Sequence, residues 1–136
     1  MGKILGIDFG LKRTGLAITD EKQIIASPLM GIDSVHLMKT LQDLNRKENI
    51  EKFVLGYPLR LDGSDTHVTE NIRILKEVLE KEFNKEVILF DERYSSATAS
   101  QIIHLGGKKS QQKDKKLVDK VAASVILSNY LENLNS

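Results

Sequence analysis

The chain has 136 residues, no cysteine, 20 lysines and arginines against 19 acids, and a formal charge of +1. Its length fits one domain over residues 1–136, able to bury a core without disulfides or structural metals. The missing thiols exclude thiol catalysis, zinc–thiolate sites and a disulfide framework, and the near-neutral charge supplies no strong overall field to draw in nucleic acid.

The first residues run straight into a strand, with no leader-like apolar region, and no apolar run reaches membrane-spanning length. A soluble, unprocessed, cytoplasmic protein is expected, with no membrane partner. Residues 3–9 and 13–19 are apolar runs separated by "GLKR", which predicts a hairpin in which Gly10 takes a positive φ. Asp8 interrupts the first run. A buried carboxylate costs several kcal/mol unless a cation meets it, which points to a metal, a basic side chain or the mouth of a site. "KQIIAS", residues 22–27, predicts a third strand ended by Pro28.

Asp33 or Ser34 can cap a helix whose Leu37, Met38, Leu41 and Leu44 follow helical spacing. "KFVLGYP", residues 52–58, reads as an interior strand. The loop "LRLDGSD" leads to a second helix, from about Thr66 to Phe83, with Val68, Ile72, Leu75 and Leu79 on one face. "EVILFDE", residues 86–92, is a fifth strand ending in Asp91 and Glu92. "SSATASQIIHLG", residues 95–106, predicts a shorter helix stopped by Gly106 and Gly107. Lys108, Lys109, Lys113, Lys115, Lys116 and Lys120 then crowd one segment, either a solvated loop or a flap that grips phosphate. A last helix carries Val118, Ala122, Val125 and Leu127, with Asp119 among small apolar residues.

Three hairpin-linked strands followed by strands alternating with helices imply a mixed sheet, and sites in such sheets form beyond the carboxyl ends of the strands. Asp8 and the Asp91–Glu92 pair occupy such ends. Side chains alternate along a strand, so one of Asp91 and Glu92 can share a pocket with Asp8, and the other is left for a structural contact such as Arg93. Asp119 lies one turn before Ala122 and Ala123, whose small side chains would let the helix approach the sheet. Each acid alone is explained by a turn, a cap or a solvated position. Three together point to a cation between them. An all-oxygen set, with His36, His67 and His104 scattered, suits Mg²⁺ or Mn²⁺. Two such ions about 4 Å apart would clamp the oxygens of a phosphodiester during hydrolysis.

"GIDFGLKRTGLAIT", "LGYPLRLDGS", "FDERYSSATA" and "DKVAASVILSNYL", in this order over nearly the whole chain, resemble the YqgF/RuvX family of RNase H-like nucleases. The resemblance implies an α/β ribonuclease H-like fold, a five-stranded mixed sheet in the order 3-2-1-4-5 flanked by helices. It also implies a bacterial cytoplasmic nuclease for the 5′ end of pre-16S ribosomal RNA, with Holliday-junction resolution as the older proposal. Carried over, Asp8, Glu92 or Asp91, and Asp119 are the catalytic acids, with Asp8, Glu92 and Asp119 as metal ligands. RuvC-type resolvases end the fourth strand in an acid, whereas this one ends in "GYP", so the fifth strand must supply the second carboxylate. Lys12, Arg13, Arg60 and Arg93, with Lys108 and Lys109, are candidates to hold the nucleic-acid backbone. Arg93 pairing only with Asp91, and a solvated Arg60, are the plainer alternatives.

The expected partners are nucleic acid, with precursor rRNA ahead of branched DNA, and the ribosome; a monomer or weak homodimer is expected. Two rivals remain: a non-catalytic nucleic-acid or ribosome-binding domain, and an ATP-binding module of the actin, Hsp70 and sugar-kinase type. The latter shares the "GIDFG…TG" hairpin but needs two lobes.

Overall fold

Burial on both faces of the first two strands divides the molecule into two cores. The computed structural model describes residues 2–57, 69–91 and 115–134. Strand β1 (Lys3–Phe9) turns directly into the antiparallel β2 (Arg13–Thr19), and β3 (Ala26–Asp33) completes a meander. A short 3₁₀ turn (Ser34–His36) leads into helix α1 (Leu37–Lys47). Strand β4 (Ile50–Tyr57) then lies parallel to β1, helix α2 (Thr69–Phe83) follows, and β5 (Val87–Asp91) lies parallel to β4. Helix α3 (Lys115–Leu134) is the last described element. The sheet order is β3-β2-β1-β4-β5, the order that the resemblance implies.

On β1, Leu5 and Ile7 face α1 and α2, in one core with Leu16, Leu41, Phe53, Leu55, Ile72 and Leu79. Ile4 faces the other way, in a second core with Ala17, Val54, Ala123, Ile126, Leu127 and Tyr130. Full burial of each such aliphatic side chain contributes roughly 1.5–3 kcal/mol, so both layers are needed to hold the sheet. Among the described residues no helix is long and apolar enough to cross a membrane. The predicted helix at 95–106, the "LRLDGSD" loop and the first residues of the second predicted helix lie outside the described residues.

Three local expectations are corrected. The third strand does not run over 22–27 and stop at Pro28; it runs from Ala26 to Asp33 with Pro28 inside it. Asp20 Oδ1 accepts hydrogen bonds from the backbone N–H groups of Ile24 and Ile25 at 2.8 and 2.9 Å, and Gln23 takes φ 59°, so a polar turn consumes the apolar pair. Ile24 and Ile25 are each 64% exposed. Pro28 is tolerated because β3 is an edge strand and the register shifts between Leu16 and Ala17, beside its partner position.

The second correction concerns Gly10, whose φ is not in the left-handed region. Its lack of a side chain serves instead to admit the Arg13 carbonyl oxygen, which a Cβ would meet at 2.5 Å. Thirdly, neither Asp33 nor Ser34 caps α1; His36 occupies that position, and Asp33 makes no capping hydrogen bond at the start of the 3₁₀ turn.

Candidate active site

Asp8 sits one residue before the end of β1, and its parity is that of Ile4 and Gly6, which places it on the α3 face of the sheet. Its cross-strand partner is Gly15 on β2, which in turn pairs with Gly31 on β3. This row lets the first turns of α3 lie almost directly on the backbone. A Cβ on Gly15 would lie 1.9 Å from the Asp119 carbonyl oxygen, and one on Gly31 would lie 2.5 Å from that of Lys116. Gly6, farther along, faces Leu127. Asp119 is therefore pinned above the residue paired with Asp8. Ala123 is fully buried one turn later, as its small size requires.

The result is one cleft of about 340 Å³ lined by Asp8, Phe9, Gly10, Leu11, Lys12, Arg13 and Asp119. Arg13 Nε donates to Asp119 Oδ2 at 3.0 Å, an ion pair in which the two side chains are 34% and 20% exposed. The loop from Gly10 to Lys12 is fastened from below by Ser34. Its hydroxyl donates to the Gly10 carbonyl at 2.6 Å, and its backbone N–H donates to the Lys12 carbonyl at 2.8 Å. Thr14 Oγ1, 2.8 Å from Ser34 Oγ, completes the clasp. Backbone carbonyls of the loop are thus engaged on the protein side, and the loop's position relative to Asp8 is fixed.

Asp91 is placed differently. In the parallel register Asp91 is level with Tyr57, one residue past the Gly56–Phe90 pair. Phe90 packs edge-on against Tyr130 of α3, with ring centroids 6.1 Å apart, so Asp91 takes the opposite face, that of Val87 and Leu89. On that face the Arg73 guanidinium lies 5.6 Å from the Tyr57 ring centroid, so a cation stands by the strand end that Asp91 shares. Asp8 and Asp119 are brought together; Asp91 is on the other side of the sheet.

Glu92, Arg93, Arg60, Lys108, Lys109 and Lys113 lie outside the described residues. Of the remaining lysines in the basic segment, Lys115 and Lys116 are exposed at the start of α3, and Lys120 is half-buried. Among the described residues no three of the usual metal-binding side chains converge. Two hard carboxylate oxygens donors on one open cleft nevertheless fit Mg²⁺ or Mn²⁺, which are commonly held by one or two carboxylates, the other positions going to water and substrate phosphate. The sequence reading missed Ser34 as the loop's clasp and missed the glycine row. A signal for the row was present: Gly6, Gly15 and Gly31 interrupt strands, and glycine within a strand marks a close backbone approach.

The sequence model of a family described as "RuvX: Holliday junction resolvase" matches residues 2–133. A protein of Amoebophilus asiaticus named "Putative pre-16S rRNA nuclease" is 39% identical over 135 residues, covering 98% of this chain and 96% of the relative. One of Flavobacterium psychrophilum with the same name is 41% identical over 133 residues, covering 96% and 97%. Among solved structures, T. thermophilus RuvC in complex with a Holliday junction substrate aligns with TM-score 0.59 at 14% identity, covering 100% of this chain and 98% of that one. The fowlpox virus Holliday junction resolvase aligns with TM-score 0.58 at 17% identity, covering 96% and 99%. At such identities the likeness shows the fold, which is the ribonuclease H-like fold.

Proposed function

The chain belongs to the RuvX family, and on that premise we propose that it is a metal-dependent nuclease of one domain over residues 1–136, hydrolysing phosphodiester bonds in the 5′-end maturation of pre-16S rRNA. The observation that carries the reading is the convergence of Asp8 and Asp119 on one cleft that Lys12 and Arg13 also line. Carboxylates that can hold a cation and basic side chains that can hold a phosphate, lining one open cleft, suit a phosphodiester substrate. The substrate assignment is supported by the name that the relatives carry.

In this reading Asp8 and Asp119 hold Mg²⁺ or Mn²⁺. The bound ion would supply charge stabilisation at the phosphoryl oxygens and an activated water. Lys12 and Arg13 orient the backbone, and the Ser34 clasp keeps them in register with Asp8. Asp91 lies on the far face, which leaves Glu92 as the proposed third acid. Arg60, Arg93, Lys108 and Lys109 are proposed as further backbone contacts.

A second reading, Holliday-junction resolution, is favoured by the description of the matching family and by the resolvase-like fold. Against it stands the end of β4, where Gly56 and Tyr57 offer no carboxylate. The test is cleavage by the purified protein of precursor rRNA, single strands, duplexes and four-way DNA junctions, with Mn²⁺ or with chelator. Precursor rRNA should be cut at a defined site, and Asp8→Asn or chelator should lower the rate about 10²–10³-fold, several kcal/mol of lost stabilisation. Equal rates in chelator would refute the metal-dependent mechanism, and exclusive cutting of junctions would favour the second reading.

A further inference from the structure

Arg13 cannot at once hold Asp119 and offer the same N–H to a substrate. Its Nε is given to Asp119 Oδ2 at 3.0 Å. A guanidinium receives a phosphate most strongly as a two-pronged fork, and one of its two forks includes Nε. Asp119, in turn, has one Oδ2 lone pair taken by Arg13, and the guanidinium charge held beside it opposes the approach of a divalent cation. Both side chains line the cleft that also contains Asp8 and Lys12. The pair is only partly shielded from water, so it is weak enough to exchange for stronger partners.

Building on the nuclease reading of this cleft, we infer that Arg13 is a positioning residue that couples the two ligands. It holds Asp119 while no cation does, and it turns to the substrate phosphate once a divalent cation takes Asp119. Cation and phosphodiester then bind with positive cooperativity, because each removes the competitor of the other. Asp119 is kept from repelling Asp8 in the metal-free protein, and Arg13 is kept from gripping nucleic acid before the cation is in place. A purely structural role, tying α3 to the hairpin, would give no such coupling.

The experiment is a double-mutant cycle read by fluorescence anisotropy, using a short labelled single-stranded RNA in chelator with wild type, Arg13→Gln, Asp119→Ala and the double variant. With Asp119 in place, Arg13→Gln should change RNA affinity by less than about twofold. In the Asp119→Ala background, where no acceptor is left for Arg13, the same substitution should weaken binding at least about fivefold. In wild type, the side-chain Nε–H signal of Arg13 in ¹⁵N NMR should move on addition of Mg²⁺ alone, a readout that needs no variant to fold.

Equal effects of Arg13→Gln in both backgrounds, or an Nε–H signal unmoved at Mg²⁺ concentrations up to saturation of the assay, would overturn the coupling while leaving the nuclease reading standing. A wild-type protein that binds no RNA or DNA strand with Mn²⁺ present would remove the nuclease reading, and the coupling with it.

Discussion

Replacing Gly15 by alanine adds one methyl group at the tightest contact between α3 and the sheet. The new Cβ would lie 1.9 Å from the Asp119 carbonyl oxygen, about 1.5 Å short of the 3.4 Å at which ordinary contact begins. The obstacle is helix backbone, which cannot swing aside as a side-chain tip can, so the whole first half of α3 must lift. Overpacking typically costs about 1–3 kcal/mol, and this case belongs at the upper end, about 3 kcal/mol. For a chain of this size that corresponds to a fall in Tm of roughly 12 °C. Lifting the helix also carries Asp119 away from Asp8. A displacement of about 1 Å in a catalytic group is worth about 10²-fold in rate. Gly6→Ala is the internal control, since its Cβ would meet Leu127 Cβ at 3.0 Å and needs a shift of only a few tenths of an ångström. It should cost about 1 kcal/mol and leave Asp119 in place. Urea melts of the three proteins give the stabilities, and cleavage of precursor rRNA well below the transitions gives the rates. Gly15→Ala within about 0.5 kcal/mol of wild type would show that α3 does not rest on the strand backbone. A destabilised Gly15→Ala with an unchanged rate would separate the packing from the chemistry and remove Asp119 from the catalytic set.

Ser34→Ala leaves the Gly10 carbonyl and the Thr14 hydroxyl without their partner and should cost about 1–2 kcal/mol. KM for RNA should rise more than kcat falls; a KM unchanged in a destabilised variant would show that the clasp does not position the loop. Asp20 is held below its ordinary pKa of 3.8 first by the hydrogen bond from the Ile25 N–H and then by that from Ile24. Its stabilising contribution is therefore complete above the ordinary value and is lost as pH falls through the lower folded value. Asp20→Asn should flatten that part of the Tm profile between about pH 5 and pH 2, and parallel profiles for variant and wild type would contradict the linkage.

The strands β1, β2 and β4 were legible because they are apolar enough to have no home but a core, and the hairpin and crossover connections implied a mixed sheet, while its strand order came from the family resemblance. β3 was misplaced by Ile24 and Ile25, whose apolar character suggested a strand although Asp20 ties their backbone into a turn. Local apolarity cannot reveal that a carboxylate four residues earlier has claimed those N–H groups. Asp8 and Asp119 were legible as acids out of place in apolar segments. The parity of Asp91 was not, because it depends on where β5 comes into register with β4, which a strand read alone does not contain. Gly15 and Gly31 carried information only in combination, as neighbours across two strands beneath a helix that lies far off in the sequence.

The ion pair between Arg13 and Asp119 spans 106 positions of the chain. During synthesis the hairpin that carries Asp8, Lys12 and Arg13 leaves the ribosome early, while α3 follows only after β4, α2 and β5. Until then the sheet's α3 face, with Ile4, Ala17 and Val54, lacks the cover that α3 gives it, and the cleft lacks Asp119. Such long-range closure is the slow part of folding. The arrival of α3 therefore completes the second core and brings Asp119 to the cleft in the same event.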